Sequence, residues 1–447
     1  MPKIFLKDRL AAIAIIIFGI LPAARGQETL SLQDAIDAAL RKNYDIELVR
    51  IDSSSYELDN KFANAVFLPQ LNGVATRVFN SNNQKQLLAD GSVRERDGIK
   101  SNNLQSTVNL NWVLFDGFRM FATRDKYAEY TRLGSFAIKQ QVTVSVAAVI
   151  NNYYNIVRQK QQLRAIEEQI SSNDERVALA EKKFSVGLGA KPELLQAKVD
   201  LNAQRGAQLT QQTMISQLKE QLNQLMGAPV TRSFEVSDSI PINYGLSVGK
   251  IKDQLIFNNP TLQVASKNID IARLTYREAR ADLFPTLSLN SAYNFSRVNN
   301  SVVINNFTPL FNRNQGLNYG LSVNFPIINN FTARRLARQA KLDILTQEVL
   351  YKNQLSQIDV SVNNAFKDYE LYKKLLAIEE ENILLAKENV NIALQRFKLG
   401  ISTNLELREA QISLEQGYDR LIAARYNTKV AETELLRLQG NIVTEAK

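Results

Sequence analysis

The feature that most limits the fold of this chain is the long segment Thr332–Phe397, which contains neither glycine nor proline. These two residues are the strongest helix breakers, and a helix rises about 1.5 Å per residue, so a continuous helix here would be roughly 100 Å long. A second segment of equal length, Arg119–Phe184, is interrupted only by Gly134. Ordinary globular cores are much shorter than this. The sequence therefore predicts two very long helices that pack along their length.

Almost the whole chain is an internal duplication. The segment LSLQDAIDAALRKN at Leu30–Asn43 corresponds to LSVGKIKDQLIFNN at Leu246–Asn259. Further along, Phe184 and Gly187 correspond to Phe397 and Gly400, but the spacing between the copies is three residues shorter there, so a loop of different length is expected between Leu71 and Trp112. The predicted organisation is a first repeat over 27–227, a linker over 228–245, a second repeat over 246–440 and a tail over 441–447.

The segment that follows each long helix carries a heptad pattern with apolar or small residues on one seam. Such a seam predicts antiparallel helical hairpins that pack by knobs into holes. In the first copy the middle of the seam is polar. The seam positions of the second copy are Leu407, Ala410, Leu414, Gly417, Leu421, Ala424, Thr428, Ala431, Leu435 and Leu438, and those of the first copy are Leu194, Ala197, Leu201, Gln204, Gln208, Gln211, Ile215, Leu218, Leu222 and Leu225.

Each hairpin is predicted to turn at a glycine. KFSVGLGAKPELL and RFKLGISTNLEL place Gly187 and Gly400 after a long helix, where glycine favours a C-terminal cap. Pro192 suits the first turn of the next helix, and Glu193 and Glu406 suit a helix N-terminus electrostatically. The two segments are therefore expected to be the tips of the two hairpins.

Between the first two helices of each repeat, the hydrophobic period changes from the helical one to the alternation of a strand. In the second copy, for example, Leu287, Leu289 and Tyr293 alternate with serine and asparagine. Segments of about ten residues with one apolar and one polar face are typical of membrane β-barrel strands. Strands are predicted at about 71–80, 104–115, 286–298 and 317–325, with loops at Ser81–Asn103 and Asn299–Asn314.

Four strands cannot close a barrel, and a membrane strand cannot leave its edge unpaired in lipid. Two chains would supply eight strands, whose interior fills with side chains, whereas three would supply twelve and leave room for water. The polar strand faces favour the larger number. The predicted fold is thus mainly α, with long antiparallel helical hairpins forming an α-barrel tunnel, plus four strands per chain that are completed as a twelve-stranded membrane β-barrel in a homotrimer.

The N-terminus predicts export. Basic residues, an apolar run and small residues over 1–26 have the pattern of a signal peptide, and no later stretch is expected to form a membrane helix. Removal of 1–26 would change the formal charge from +9 to +6, and the basic residues are spread among acids, so nucleic acid is not an expected partner.

The chain contains no cysteine and no histidine, which excludes thiol chemistry, Ser/His triads and HExxH zinc sites. We therefore expect no enzyme activity, no metal site and no cofactor.

The order of these elements resembles the TolC-like outer membrane efflux proteins over nearly the whole chain after residue 26. The resemblance is carried by the duplication, the LP and FP steps at Leu68-Pro69 and Phe284-Pro285, WVLFDGFR at Trp112–Arg119, and the tips FSVGLG and FKLGIS. It implies an outer membrane channel of a Gram-negative bacterium that extends into the periplasm. It also implies a homotrimer embedded in outer membrane lipid, which docks onto a periplasmic adaptor (membrane fusion) protein and an inner-membrane transporter.

The resemblance also implies roles for the tips. Residues at the matching positions of family members meet the adaptor, and acidic residues ring the periplasmic entrance. The adaptor-docking candidates are Val186, Gly187, Leu188, Leu399, Gly400, Ile401 and Ser402, and the entrance candidates are Glu406, Glu409 and Glu193.

Two alternatives remain open at this point. The acids at the tips could serve only as helix-start residues that face water. A periplasmic coiled-coil scaffold without a pore would explain the heptads, although not the alternating strands. Within the transport class, the sequence does not separate drug or metal efflux from type I protein secretion.

Overall fold

The computed structural model describes residues 29–302 and 307–445. The predicted signal peptide, residues 1–26, and the last two residues of the predicted tail lie outside the described part of the chain. The first half contains β1 (Thr29–Leu30), α1 (Leu32–Lys42), α2 (Tyr44–Lys61), a short 3-10 helix (Ala63–Phe67), β2 (Gln70–Leu87), β3 (Val93–Phe115), α3 (Arg119–Ser185) and α4 (Lys191–Leu225).

The second half contains β4 (Glu235–Val236), α5 (Val248–Asn258), α6 (Pro260–Ala281), β5 (Thr286–Asn300), β6 (Phe311–Asn324), α7 (Thr332–Lys398), α8 (Asn404–Gln439) and α9 (Ile442–Glu445). The duplication is visible in the element boundaries. Helices α1 and α5 begin at equivalent positions of the two repeats, as do strands β2 and β5, and the long helices α3 and α7 are each 67 residues long.

The chain divides into two compact units that run across the two repeats. One unit comprises the described residues up to Glu47, then Gln141–Asn258, and the chain from Asp359 onward. The other comprises Leu48–Gln140 and Asn259–Ile358. Each unit thus takes equivalent parts of both repeats.

The first unit contains a hydrophobic core between α1, α3 and α4, closed by the parallel pair β1 and β4. Ile36, Tyr153 and Phe234 are almost completely buried there, and the Tyr153 hydroxyl donates to the Leu30 carbonyl oxygen over 2.9 Å. Burying these apolar side chains holds the short strands, which are too small to be stable alone.

Helices α4 and α8 and the later parts of α3 and α7, which pair with them as hairpins, lie in the same unit. Every predicted seam position of α4 and α8 is buried or half-buried. Ion pairs follow the antiparallel arrangement, since Lys198 contacts Glu181 at 2.7 Å and Arg205 contacts Asp174 at 3.3 Å between α4 and α3. Gly417 on α8 leaves room for the Ile383 side chain of α7.

Helix α3 also contains a window that is apolar enough, by length and composition, to cross a membrane. No such stretch was expected from the sequence. Apolar side chains of this helix, including Val146, Val149 and Ile156, are fully buried in the core of the first unit. A core helix can satisfy the same length and composition criterion, and 39% of this window is buried, so the window alone does not show a membrane span.

The second unit contains a four-stranded antiparallel sheet in the order β2-β3-β5-β6. The predicted loop at Ser81–Asn103 is wrong, because β2 continues to Leu87 and β3 begins at Val93, with only a short turn between them. The predicted loop at Asn299–Asn314, of which 303–306 lie outside the described residues, is likewise too long, because β5 continues to Asn300 and β6 already begins at Phe311. The added residues of β2, β3 and β6 are mainly polar on both faces of the sheet, so they lack the alternation of apolar and polar residues that predicts a strand.

Candidate functional site: a two-faced sheet and paired hairpin tips

The strand register separates the sheet into two chemically different faces. Residues that are paired across neighbouring strands place their side chains on the same face. Leu289 of β5 is paired with Trp112 of β3 and Leu321 of β6, whereas the next residue, Asn290, is paired with Asn111 and Gly320. One face therefore carries apolar and aromatic side chains, and the opposite face carries asparagine, serine, threonine and glycine.

The apolar face is exposed to an extent that is unusual for a protein in water. Leu317, Tyr319, Leu321 and Val323 on β6 have side chains 65 to 80% exposed. Contiguous exposed apolar surface of this kind indicates contact with a membrane or another chain. The polar face is hydrogen-bonded across strands, for example from Asn290 Nδ2 to Ser322 Oγ over 2.8 Å.

The two hairpin tips have the same backbone hydrogen bonds at equivalent positions of the two repeats. In the first tip, the Gly187 amide donates to the Phe184 carbonyl and the Leu188 amide donates to the Lys183 carbonyl. In the second tip, the Gly400 and Ile401 amides donate to the equivalent carbonyls of Phe397 and Arg396. This is the Schellman pattern, and it requires a left-handed residue where the chain reverses. Gly187 and Gly400 supply it with φ of 77° and 76°.

The tips present apolar side chains to solvent. Val186, Leu188, Leu399 and Ile401 are 61 to 82% exposed, whereas Ser402 is half-buried and its Oγ has no hydrogen-bond partner. Helix ends normally expose polar residues, because apolar surface in water is unfavourable. All seven adaptor-docking candidates lie in the two turns, and six of them are exposed.

Contacts between the hairpins bring the two tips side by side. Lys183 Nζ donates to the Phe397 carbonyl oxygen over 3.2 Å and lies 3.8 Å from the centre of the Phe397 ring. Lys398 Nζ lies 2.5 Å from Glu175 Oε1. The apolar candidates therefore belong to one surface that is formed by both repeats.

The candidate entrance acids begin the helices that follow the turns. Thr403 caps α8, since its Oγ1 accepts from the Glu406 amide over 3.3 Å. Glu406 lies 3.8 Å from Arg396 Nη2, and both side chains are half exposed. Within the described residues, Glu193 and Glu409 form no ion pair and are exposed. Their carboxylates therefore face solvent in this chain.

A buried polar network, which no sequence pattern predicted, lies behind the tips. The Arg176 side chain of α3 is 1% exposed and contacts Asp200 of α4 and Gln411 of α8. Arg408 Nε also donates to Asp200 Oδ2 over 3.1 Å. The partners of Arg176 are 24 and 235 positions away in sequence, so only the hairpin packing brings them together.

No group of histidine, cysteine, aspartate or glutamate suited to a metal ion occurs among the described residues. The candidate site consists of the two faces of the sheet and the surface formed by the two hairpin tips.

Comparisons with known proteins agree with this arrangement. The family model described as "Outer membrane efflux protein" matches residues 35–228 and 252–441. The probable efflux pump outer membrane protein TtgC of Pseudomonas putida is 20% identical over 413 residues, which are 92% of this chain and 83% of the relative. The alkaline protease secretion protein AprF of Pseudomonas aeruginosa is 22% identical over 360 residues, which are 76% of this chain and 70% of the relative.

Solved structures share the fold. The outer-membrane channel OprN has a TM-score of 0.78 at 16% identity and covers 92% of this chain and 90% of its own. The Neisseria gonorrhoeae MtrE outer membrane channel, in its open state, has a TM-score of 0.71 at 16% identity and covers 92% and 89%. Because the family model matches both repeats and most of the chain, this protein belongs to the outer membrane efflux protein family.

Proposed function

We propose that this chain is the outer-membrane exit duct of a tripartite efflux or type I secretion assembly. Three copies form a twelve-stranded barrel in the outer membrane, and their helical hairpins form a tunnel in the periplasm. The duct is a passive conduit, and an inner-membrane transporter supplies the energy through a periplasmic adaptor.

The observation that carries this proposal is the two-faced sheet with two open edges. Strands β2 and β6 lie at the edges, and all fourteen residues of β6 are exposed. An unpaired apolar strand edge is unstable in lipid, because its amide and carbonyl groups find no water there. Pairing the β6 edge of one copy with the β2 edge of the next satisfies both edges, and twelve strands leave a water-filled interior lined by the polar face.

The tips supply the second part of the proposal. Their exposed Val186, Leu188, Leu399 and Ile401 form an apolar surface that suits an apolar partner, which in a tripartite assembly is the adaptor. The adjacent Glu193, Glu406 and Glu409 would line the entrance with carboxylates in the trimer. Carboxylate rings attract cations and repel one another as they approach, which favours cation passage.

The transported substrate is selected upstream of the duct. An exit duct conducts whatever its transporter delivers, so its own residues need not recognise one compound. The relatives are consistent with selection of the substrate by the transporter. TtgC is named as a probable efflux pump protein and AprF as an alkaline protease secretion protein, and their identities to this chain are similar, at 20% and 22%.

Cell fractionation followed by native mass spectrometry of the detergent-extracted protein tests the proposal. We expect the chain in the outer membrane fraction with the mass of three copies. A soluble periplasmic species would support the coiled-coil scaffold without a pore, and an assembly of two copies would contradict the twelve-stranded barrel.

A further inference from the structure

Three arginines from three different strands lie in one row across the sheet. Arg77 of β2 is paired with Leu104 of β3, Leu104 is paired with Arg297 of β5, and Arg297 is paired with Arg313 of β6. Paired residues share a face, so all three arginines lie on the apolar face. Since the three positions are far apart in sequence, only the register reveals the row.

The row is exposed and has no acidic counterpart. Arg77, Arg297 and Arg313 are all exposed, and none of them forms an ion pair with any carboxylate in the part of the chain that the structure describes. Strands β2, β5 and β6 contain no acidic residue, and the two acids of β3, Glu95 and Asp97, lie toward the strand turn, where Glu95 forms an ion pair with Lys85. Further toward the strand turns, the same face adds Lys100, which is paired with Ser81. The surface around the row is therefore cationic.

Neutral neighbours orient the guanidinium groups. Arg77 Nε donates to Asn102 Oδ1 over 3.0 Å, and its Cζ lies 4.8 Å from the centre of the Phe79 ring. Arg297 and Arg313 each lie 5.5 Å from a ring centre, those of Phe311 and Phe295 respectively. These contacts hold each group in place and leave its positive charge uncompensated.

The position of the row fits a membrane boundary. Leu287 begins the apolar face at the end of β5 that follows α6, and Arg297 lies ten residues further on. At about 3.3 Å per residue and a strand tilt of about 40°, that distance corresponds to roughly 25 Å of height, which is the height of the apolar band of outer membrane barrels. The row thus marks the end of the band that is nearer to the strand turns.

We propose that Arg77, Arg297 and Arg313 bind the phosphate groups of phosphorylated lipid headgroups in the outer leaflet of the outer membrane. This inference rests on the proposed function, which directs the helices into the periplasm and the strand turns outward. A guanidinium group binds a phosphate through two parallel hydrogen bonds, while its alkyl stem lies along the apolar surface. Three copies would surround the barrel with nine such arginines.

Native mass spectrometry of the purified trimer with added lipid A tests the assignment, with dephosphorylated lipid A as the comparison ligand. We expect the wild type to bind the phosphorylated form at least about tenfold more tightly, because each arginine near a charged lipid surface contributes measurably to binding. The variant Arg77→Gln/Arg297→Gln/Arg313→Gln should lose this preference. The matched control Arg334→Gln/Arg335→Gln/Arg338→Gln removes the same charge at the start of α7 and should keep it.

Equal binding of the two lipid forms by the wild type would overturn the proposal, whatever the variants do. Displacement of lipid A by millimolar inorganic phosphate would also overturn it, since the row would then select a free anion. If the wild type forms a conducting trimer that binds both forms of lipid A equally, only the lipid assignment is wrong. If it forms no trimer or pore, the proposed function itself is wrong.

Discussion

The Arg176 side chain, which is 1% exposed, donates from Nη2 to Asp200 Oδ2 over 2.5 Å and so joins α3 to α4. The same guanidinium donates from Nη1 to Gln411 Oε1 of α8 over 3.0 Å. A buried cation is unfavourable unless it is paired, so Asp200 is the group that makes burial of Arg176 possible.

Replacing Asp200 should therefore destabilise the folded protein. Asp200→Asn leaves the Arg176 charge without its counterion, and we expect the unfolding free energy to fall by about 3 kcal/mol. The matched control is Asp174→Asn, because Asp174 forms an ion pair with Arg205 in which both side chains are at least half exposed. Exposed pairs contribute less than about 1 kcal/mol. Thermal unfolding of both variants at neutral pH measures the difference, and equal midpoints would show that the buried pair is not a stabilising element.

The same pair predicts a pH dependence. Burial alone would raise the pKa of Asp200, but hydrogen bonds from Gln196 and Arg176 and the charges of Arg176 and Arg408 outweigh burial and lower it. A carboxyl group with a lowered pKa in the folded state stabilises the fold above its unfolded pKa of about 3.9, and that stabilisation is lost as pH falls through the folded pKa. Acidification from neutral pH to below that range should therefore destabilise the wild type more than Asp200→Asn. An equal loss of stability in the wild type and in Asp200→Asn as the pH falls would contradict this prediction.

Gly227, which follows α4, should not tolerate a side chain. Its φ is 63°, and a Cβ atom there would overlap the Lys42 carbonyl oxygen. Since that atom belongs to the backbone, Gly227→Ala requires the chain to shift, and we expect several kcal/mol of destabilisation or loss of folded protein. Gly206→Ala is the control, because Gly206 lies inside α4 with no atom near its Cβ position. That variant should be neutral or more stable by about 1 kcal/mol.

The entrance acids predict an effect on ion selectivity. Glu406→Ala/Glu409→Ala should reduce the preference of the pore for cations, measured as the reversal potential between unequal potassium chloride solutions at low ionic strength. Low salt is needed because salt screens exposed charges. Glu388→Ala removes an exposed acid from α7 and should leave the potential unchanged. A double variant with wild-type selectivity would assign both acids to helix initiation alone.

The tips predict a contact surface for the adaptor. Because the chain has no cysteine, a single introduced thiol reports one position. In the native host, Leu188→Cys and Leu399→Cys treated with a thiol-directed cross-linker should form an adduct with a periplasmic adaptor, identified by mass spectrometry. Leu209→Cys is a suitable control, since Leu209 is 66% exposed in the middle of α4. An adduct that forms as readily at Leu209 would remove the tips from the docking surface.

Features with a local sequence signal could be predicted. The glycine-broken turns were predicted because a helix C-terminus at Gly187 or Gly400 needs only its neighbours in sequence, and both turns have the Schellman hydrogen bonds. The predicted family is confirmed by the match over both repeats, and the expected location in the outer membrane agrees with that family.

The features that could not be predicted have a common physical origin. Alternation predicts a strand only where one strand face is apolar and the other polar, and the ends of β2, β3 and β6 that precede the strand turns or follow them are mainly polar on both faces, so they gave no strand signal. The Arg176 network and the arginine row depend on packing and register between residues far apart in sequence, which composition does not encode. The trimer, the entrance acids and the docking tips stay predictions until they are measured.

As an exit duct, the protein must line a water-filled pore with the polar face of its sheet. Leu289 and Asn290 are neighbours on β5 and face opposite sides of the sheet. We would measure single-channel currents in planar bilayers from Leu289→Cys and Asn290→Cys before and after a charged, membrane-impermeant thiol reagent. We expect the current through Asn290→Cys to fall in three steps, one for each copy, and the current through Leu289→Cys to stay constant. No current from either variant, or equal effects on both, would contradict the pore.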